Sequence, residues 1–177
     1  MAVPANIILG DGVFAIGGTD IALTRGGGQF TVEREYREIS ADGDYGPVKD
    51  RIRVIRSRAK LLFRALEILP ANIPKFYPAT SEDTTTVPGT STITGLDGTI
   101  EDVQTGDYQA TITWTGKTKA GKAVTITVED AINLENIDWA LIDKEEIVPE
   151  ITYTACYDES TRTTEPWKID YVTSSGD

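Results

Sequence analysis

The sequence predicts an α+β fold that is mostly β, a β-sandwich of six or more short strands with one short flanking helix and a long inter-strand loop. Three observations carry this. The last third alternates apolar and polar residues with a period of two. Residues 48–69 run for 22 residues without a Pro or Gly, and the clearest helix-start signal falls between Pro70 and Pro78. A chain of 177 residues reads as one domain, long enough to bury about two-thirds of its unfolded surface without a metal or disulfide staple.

Taken in order, residues 2–27 hold short apolar segments, NIILG and GVFAIGG, then TDIALTRGGG, with glycines at 10, 12, 17, 18, 26, 27 and 28. These read as short strands separated by glycine turns. A phosphate-binding loop is not supported, because no Gly-Lys-Ser/Thr follows and no helical pattern opens after the glycines. In GQFTVEREYRE (28–38), Phe30, Val32 and Tyr36 share one face and Thr31, Glu33, Glu35 and Arg37 the other, as in a half-buried strand, with Arg34 the one break.

Residues 39–47, ISADGDYGP, form an Asp- and Gly-rich loop. The segment 48–69 then carries seven of the chain's 17 basic residues, including Lys49, Arg51, Arg53, Arg56 and Arg58. Its composition also suits a helix, and that reading stays open. A long strand is favoured because the second half is apolar on both faces, Leu62, Leu66 and Ile68 against Leu61, Phe63 and Ala65, which fits burial between a sheet and a helix.

In PANIPKFYPAT (70–80), Asn72 is placed to cap a short helix, Pro74 falls in its first turn and Pro78 stops it. Residues 81–106 are rich in Thr, Gly, Asp and Ser and read as a loop, mobile or ordered by a partner, with one weak strand at Thr90 to Thr94. Next, 107–115 and 123–130 form a β-hairpin around the turn 116–122, with Ile112 and Trp114 facing Val124, Ile126 and Val128. Asn133 is a candidate cap for a single helical turn. The segment 142–159 gives a strand aligning Ile151, Tyr153, Ala155 and Tyr157, and 165–173 gives one aligning Trp167, Ile169 and Tyr171.

Composition excludes several kinds of function. The chain has no His, so hydrolysis by a Ser-His pair is ruled out, and its single Cys156 has no His to act as base. One Cys also excludes an intrachain disulfide. Asp42 and Asp44 flank Gly43, but the later ligands of a calcium loop are missing and a turn is the expectation. No cofactor or metal is expected. Trp114, Trp139 and Trp167 lie on or beside apolar stripes and read as core or interface anchors rather than sugar-stacking platforms. No window reaches the roughly 18 apolar residues of a membrane span, and the start lacks a basic region followed by an apolar core. The expectation is a soluble chain assembled in the cytoplasm.

The formal net charge is −11, unlike that of a protein that binds nucleic acid by phosphate neutralisation. Setting aside the seven bases of 49–64 together with Asp50 leaves 10 basic and 27 acidic residues, a remainder of −17. Such polarity suits self-assembly through complementary patches.

Three pieces of the chain, YREISADGDYGPVKD (36–50), GKAVTITVEDAINLEN (121–136) and the terminal PWKI, resemble in their order and spacing the major tail tube protein of long-tailed, siphovirus-type bacteriophages. The likeness spans about Asp20 to Tyr171, while 1–19 and 80–105 carry no part of it. None of the three pieces is a catalytic signature, and the resemblance implies a structural protein rather than an enzyme. It implies subunits that close into hexameric rings stacked as a hollow tube in the virion. Residues 39–48 would bridge neighbouring rings, with Asp42, Asp44, Tyr45, Lys49, Arg51, Arg53, Arg56 and Arg58 at the contacts. It implies tape measure, tail terminator and tail-tip proteins as partners, and DNA that passes through without sequence-specific binding. Six copies at −11 each carry −66 formal charges per ring, and a conduit for DNA should repel phosphate. On that ground Glu33 and Glu35 are the candidates for the lumen wall. The alternative is a monomeric sandwich that binds sugars or surfaces, exposing an aromatic patch.

Overall fold

The computed structural model describes residues 6–21, 23–87 and 90–171. Its strands are β1 (Ile8–Ile16), β2 (Thr19–Asp20), β3 (Thr24–Glu38), β4 (Ile52–Ala65), β5 (Thr80–Val87), β6 (Thr90–Gly98), β7 (Gln109–Thr118), β8 (Ala123–Ile132), β9 (Glu150–Ala155) and β10 (Trp167–Tyr171), with one short helix, α1 (Ile73–Phe76). The fold is mostly β. Eight strands form one sheet in the order β2-β1-β7-β8-β9-β4-β3, with β10 also on β8, while β5 and β6 pair only with each other.

The large sheet folds over on itself like a sandwich. Phe14 on β1 stacks on Phe63 of β4, ring centroids 5.2 Å apart, although three strands separate them in the sheet. Glycines leave room for the aromatic rings here, Gly28 for the Phe14 approach and Gly116 for Trp114. A Cβ on Gly28 would collide with the Phe14 ring and the Leu62 carbonyl, and one on Gly116 would collide with the Trp114 indole. The turning point is β8, whose first half pairs with β10 and whose last residues, Ala131 and Ile132, pair with β9. Asp130, at φ 45°, sits where the two partners diverge.

Period two holds where a strand has one buried face. Ala59, Leu61, Phe63 and Ala65 of β4 face Ile151 and Tyr153 of β9 in the core. Ile112 and Trp114 of β7 lie opposite Val128 and Ile126 of β8. On the other face Thr113 and Thr115 meet Thr127 and Thr125.

The structure departs from the sequence reading in six places. Within 48–69 the favoured strand forms, but only over Ile52–Ala65. Its inner face alone is buried, because α1 packs over that same face, with Phe76 edge-on to Phe63 at 6.0 Å. NIILG and GVFAIGG are one strand with a register shift between Ile8 and Gly12. Gly26, Gly27 and Gly28 lie within β3, also at a register shift. Asn72 stands at the N-cap position of α1 without a capping side-chain bond; its Oδ1 accepts from Lys75 Nζ at 3.4 Å. Most of 80–98 is a hairpin rather than a loop with one weak strand; Pro88 and Gly89 lie outside the described residues, as do Val172 and Thr173.

The sixth departure concerns Asn133, which caps no helix. It is buried, donates to the Phe76 carbonyl at 2.7 Å and accepts from the Glu135 amide at 2.9 Å. It therefore ties the end of β8 to α1, which Tyr153 also holds through its hydroxyl bond to the Lys75 carbonyl at 2.7 Å. Asn133→Ala leaves both backbone groups without their partner and should lower the unfolding free energy by about 2 kcal/mol. Urea titration measures it. Asn133→Asp keeps the acceptor and loses the donor, and should be destabilising as well; a neutral effect of both would show that the clamp contributes nothing.

Candidate assembly surface

Strands β3 and β4 are paired over nearly their whole length, from Gly28 with Phe63 to Glu38 with Ile52. Only the inner end of β4 has a second neighbour, since β9 pairs with Lys60 to Arg64. Beyond Lys60 the two strands continue as a two-stranded arm. Arg34, the break in the alternation, anchors its root: the guanidinium donates to Glu165 at 2.9 Å, and Glu165 also accepts from Trp167 Nε1 at 2.5 Å. The Phe30 and Trp167 rings lie 5.6 Å apart beside them.

Past this anchor the arm has two different faces. On the polar face, Glu33 is opposite Arg58, Glu35 opposite Arg56 and Arg37 opposite Arg53. Lys60 Nζ lies 3.3 Å from Glu33, and Arg56 Nη1 lies 3.9 Å from Glu35. The two carboxylates are thus part of a mixed ladder rather than a bare acidic stripe, and with five cations against two anions this face is net positive. Exposed pairs of this kind contribute about 0–1 kcal/mol each. Arg37 opposite Arg53 is a like-charge pair, unfavourable across a ladder.

On the other face Tyr36 lies opposite Val54, and Glu38 opposite Ile52. The register slips by one residue between Glu35 and Tyr36, which leaves Ile55 as the extra residue of a bulge. Tyr36, Ile52, Val54 and Ile55 are each 50–57% exposed. A concavity of about 510 Å³ is lined by Arg37, Ile39, Arg53, Val54 and Ile55, so apolar floor and cationic rim meet in one place.

The loop joining the strands is closed at its base by Ile39 N–H donating to the Arg51 carbonyl at 3.0 Å. Asp44 organises its interior, accepting from Ala41 N–H at 2.7 Å and from the Arg51 guanidinium at 2.9 Å. Asp44 and Arg51 therefore serve each other. Asp42, Tyr45 and Lys49 are exposed, Tyr45 completely. Among the described residues no group of three His, Cys, Asp or Glu could hold a metal ion, and no helix is long and apolar enough to cross a membrane. Burial, with Asp130 nearby, pushes the Cys156 thiol above its ordinary value. Trp114 is buried, and Trp139 and Trp167 pack against the core.

The sequence brings the basic run and the loop to one place, as expected, but the Arg34 anchor was visible only as an irregularity. In the loop 133–149 the sequence marks Asn133 and Trp139 and suggests a strand from Ile142, but not an exposed apolar surface. The loop exposes Leu134, Ile137, Leu141 and Ile142 at 56–79%, on a segment with no regular alternation to mark it.

The Glu165 carboxyl is held below the usual range, first by the hydrogen bond from Arg34. A depressed carboxyl contributes stability that is complete above its unfolded value of about 4.3 and is lost as pH falls through the folded value. Glu165→Gln should therefore lower the melting temperature near neutral pH, and the gap between variant and parent should shrink as pH falls from about 4.3 through the lowered folded value. A gap that stays constant from pH 7 to pH 3 would assign the effect to packing instead.

No family model matches the sequence, and no curated protein matches it. Among solved structures the chain is similar to the anti-feeding prophage cap, a tube-terminating cap, with a TM-score of 0.49 and 12% identity over 97% of this chain and 95% of that one. Likeness at that level leaves the reading of the surface to its own geometry.

Proposed function

We propose that this chain is a structural protein of a phage tail, a subunit that polymerises as stacked hexameric rings into the hollow tail tube of a long-tailed bacteriophage virion. The observation that carries the reading is the arm: two paired strands that leave the body and end in an apolar tip with a cationic rim. A monomer has no use for such a tip, which adds exposed apolar surface and like-charge strain without adding core. A subunit that must reach a neighbour does.

Two further features support it. The outer edge of β3, and the edge of the first half of β1 that faces away from β7, have no strand partner among the described residues. Open edges are an aggregation hazard unless covered, and ring closure covers them. The resemblance of 36–50, 121–136 and the terminal PWKI to tail tube proteins points the same way. In this reading Asp42, Tyr45 and Lys49 of the loop, with Arg53, Arg56 and Arg58 of the arm, contact adjoining subunits, and Asp44 with Arg51 fixes the loop's shape. Glu33 and Glu35 face the lumen as members of the mixed ladder, and repulsion of DNA comes from the remaining acidic surface. Tape measure, tail terminator and tail-tip proteins are the expected partners, with assembly in the host cytoplasm. The protein acts by shape and not as an enzyme.

Purified protein should give rings or hollow tubes in negative-stain electron microscopy, with a size-exclusion profile that shifts with concentration. Replacing 40–47 with an Asn-Gly turn should leave the melting temperature within a few degrees and abolish tubes. A monomer at every concentration would favour the rival reading, a binding module.

A further inference from the structure

The cationic apolar groove at the arm tip has a counterpart on the same chain. Between 134 and 146 the exposed aliphatics Leu134, Ile137, Leu141 and Ile142 are interspersed with Glu135, Asp138, Asp143, Glu145 and Glu146, and Lys144 is the one cation. One surface is apolar with a positive rim. The other is apolar with a negative rim.

They cannot meet within one molecule. The acidic loop is fastened to the far end of β4, where Glu146 pairs with Arg25 at 2.8 Å and the Pro149 carbonyl accepts from Ala65 N–H at 3.2 Å. The arm tip begins at Ile52, and the fourteen residues of β4 between these ends span about 43 Å. Trp139, packed on the core and donating to the Tyr77 hydroxyl at 3.3 Å, and buried Asn133 hold the acidic loop to the body. Each surface therefore meets its complement only on another copy.

We infer that the arm-tip groove of one copy takes the exposed aliphatic side chains of the acidic 134–146 loop of a second copy. This rests on the self-assembly reading and deepens it by naming the acceptor. Apolar contact at the centre with opposite charges at the rim is the usual anatomy of a specific interface. The rim would also answer the Arg37 and Arg53 repulsion, because carboxylates of the neighbour supply the anions that the arm lacks there. What remains uncovered on the polar face is the paired part, Glu33 with Lys60 and Arg58, and Glu35 with Arg56, where three cations meet two carboxylates.

The test is a mixed cross-link in a Cys156→Ser background. Val54→Cys on one preparation and Leu141→Cys on another are combined and oxidised with copper phenanthroline, and the disulfide-linked pair is sought by non-reducing electrophoresis and mass spectrometry. Both positions are exposed, so folding is preserved. In parallel, Arg37→Glu with Arg53→Glu should raise the concentration needed for assembly at least tenfold, and adding Asp143→Lys with Glu145→Lys should restore it. A Val54–Leu141 link within tubes upholds both the docking and the tube. Tubes that form without that link, and that tolerate the reversed arm charges, overturn the docking and leave the tube standing. The specific link in small oligomers that never form tubes upholds the docking and removes the tube. Neither link nor assembly overturns both.

Discussion

Phe63 is fully buried between the rings of Phe14, Phe76 and Tyr153. These come from β1, α1 and β9, so one side chain of β4 joins both halves of the folded sheet and the helix that plugs it. Removing a ring from such a site typically costs about 3–5 kcal/mol, lost contacts and residual cavity together. The glycine at 28 exists for this contact, since any side chain there would displace Phe14. Because the inner end of β4 is fixed so firmly, its outer end can leave the body without unravelling the strand.

The outer end is a different kind of structure. Its ladder bonds are made, but its side chains bury little and its exposed ion pairs contribute about 0–1 kcal/mol each. A two-stranded ribbon with no layer beneath it is marginal in water. The Arg34–Glu165 pair and the Phe30–Trp167 contact brace the root, and the turn built by Asp44 and Arg51 braces the loop. Between these braces lies the bulge at Ile55, which increases local twist and draws Val54 and Ile55 into one groove with Arg37 and Arg53. The fold has thus stabilised both ends of a segment whose middle side chains, Val54 and Ile55, stay more than half exposed.

How much of this was legible follows from which forces leave a mark in the sequence. Burial of one face leaves period two, so the hairpin of β7 and β8, the β9 strand and the start of the arm could be read directly. The run 48–69 was ambiguous because Arg, Lys, Leu and Ala suit a helix, and register against β3 decides the matter only in three dimensions. The β5–β6 hairpin was missed because its Thr-, Ser- and Asp-rich sequence carries no apolar alternation, and its two strands pair only with each other. Asn133 was read as a cap because its local signal is the same; that it reaches back to Phe76, 57 residues earlier, is a tertiary fact. The acidic loop was passed over since its aliphatics follow no secondary-structure period. Assembly surfaces in general write composition rather than periodicity.

The geometry of donor and acceptor bears on the form of any assembly. A groove at one end of β4 and its complement at the other make a contact that is not self-complementary. Each copy that docks still has one free groove and one free loop, so such a contact propagates instead of closing on a pair. The open sheet edges point in a different direction, across the strands, where hydrogen-bonded pairing can close sideways. One contact running along β4 and another running across the sheet are the two directions that a tube requires, and neither alone would produce one. A chain with only the edges would give isolated rings or ribbons, and one with only the arm would give a single file. In the proposed tube the long arm would be the axial half of a two-direction design whose lateral half is the unclosed sheet.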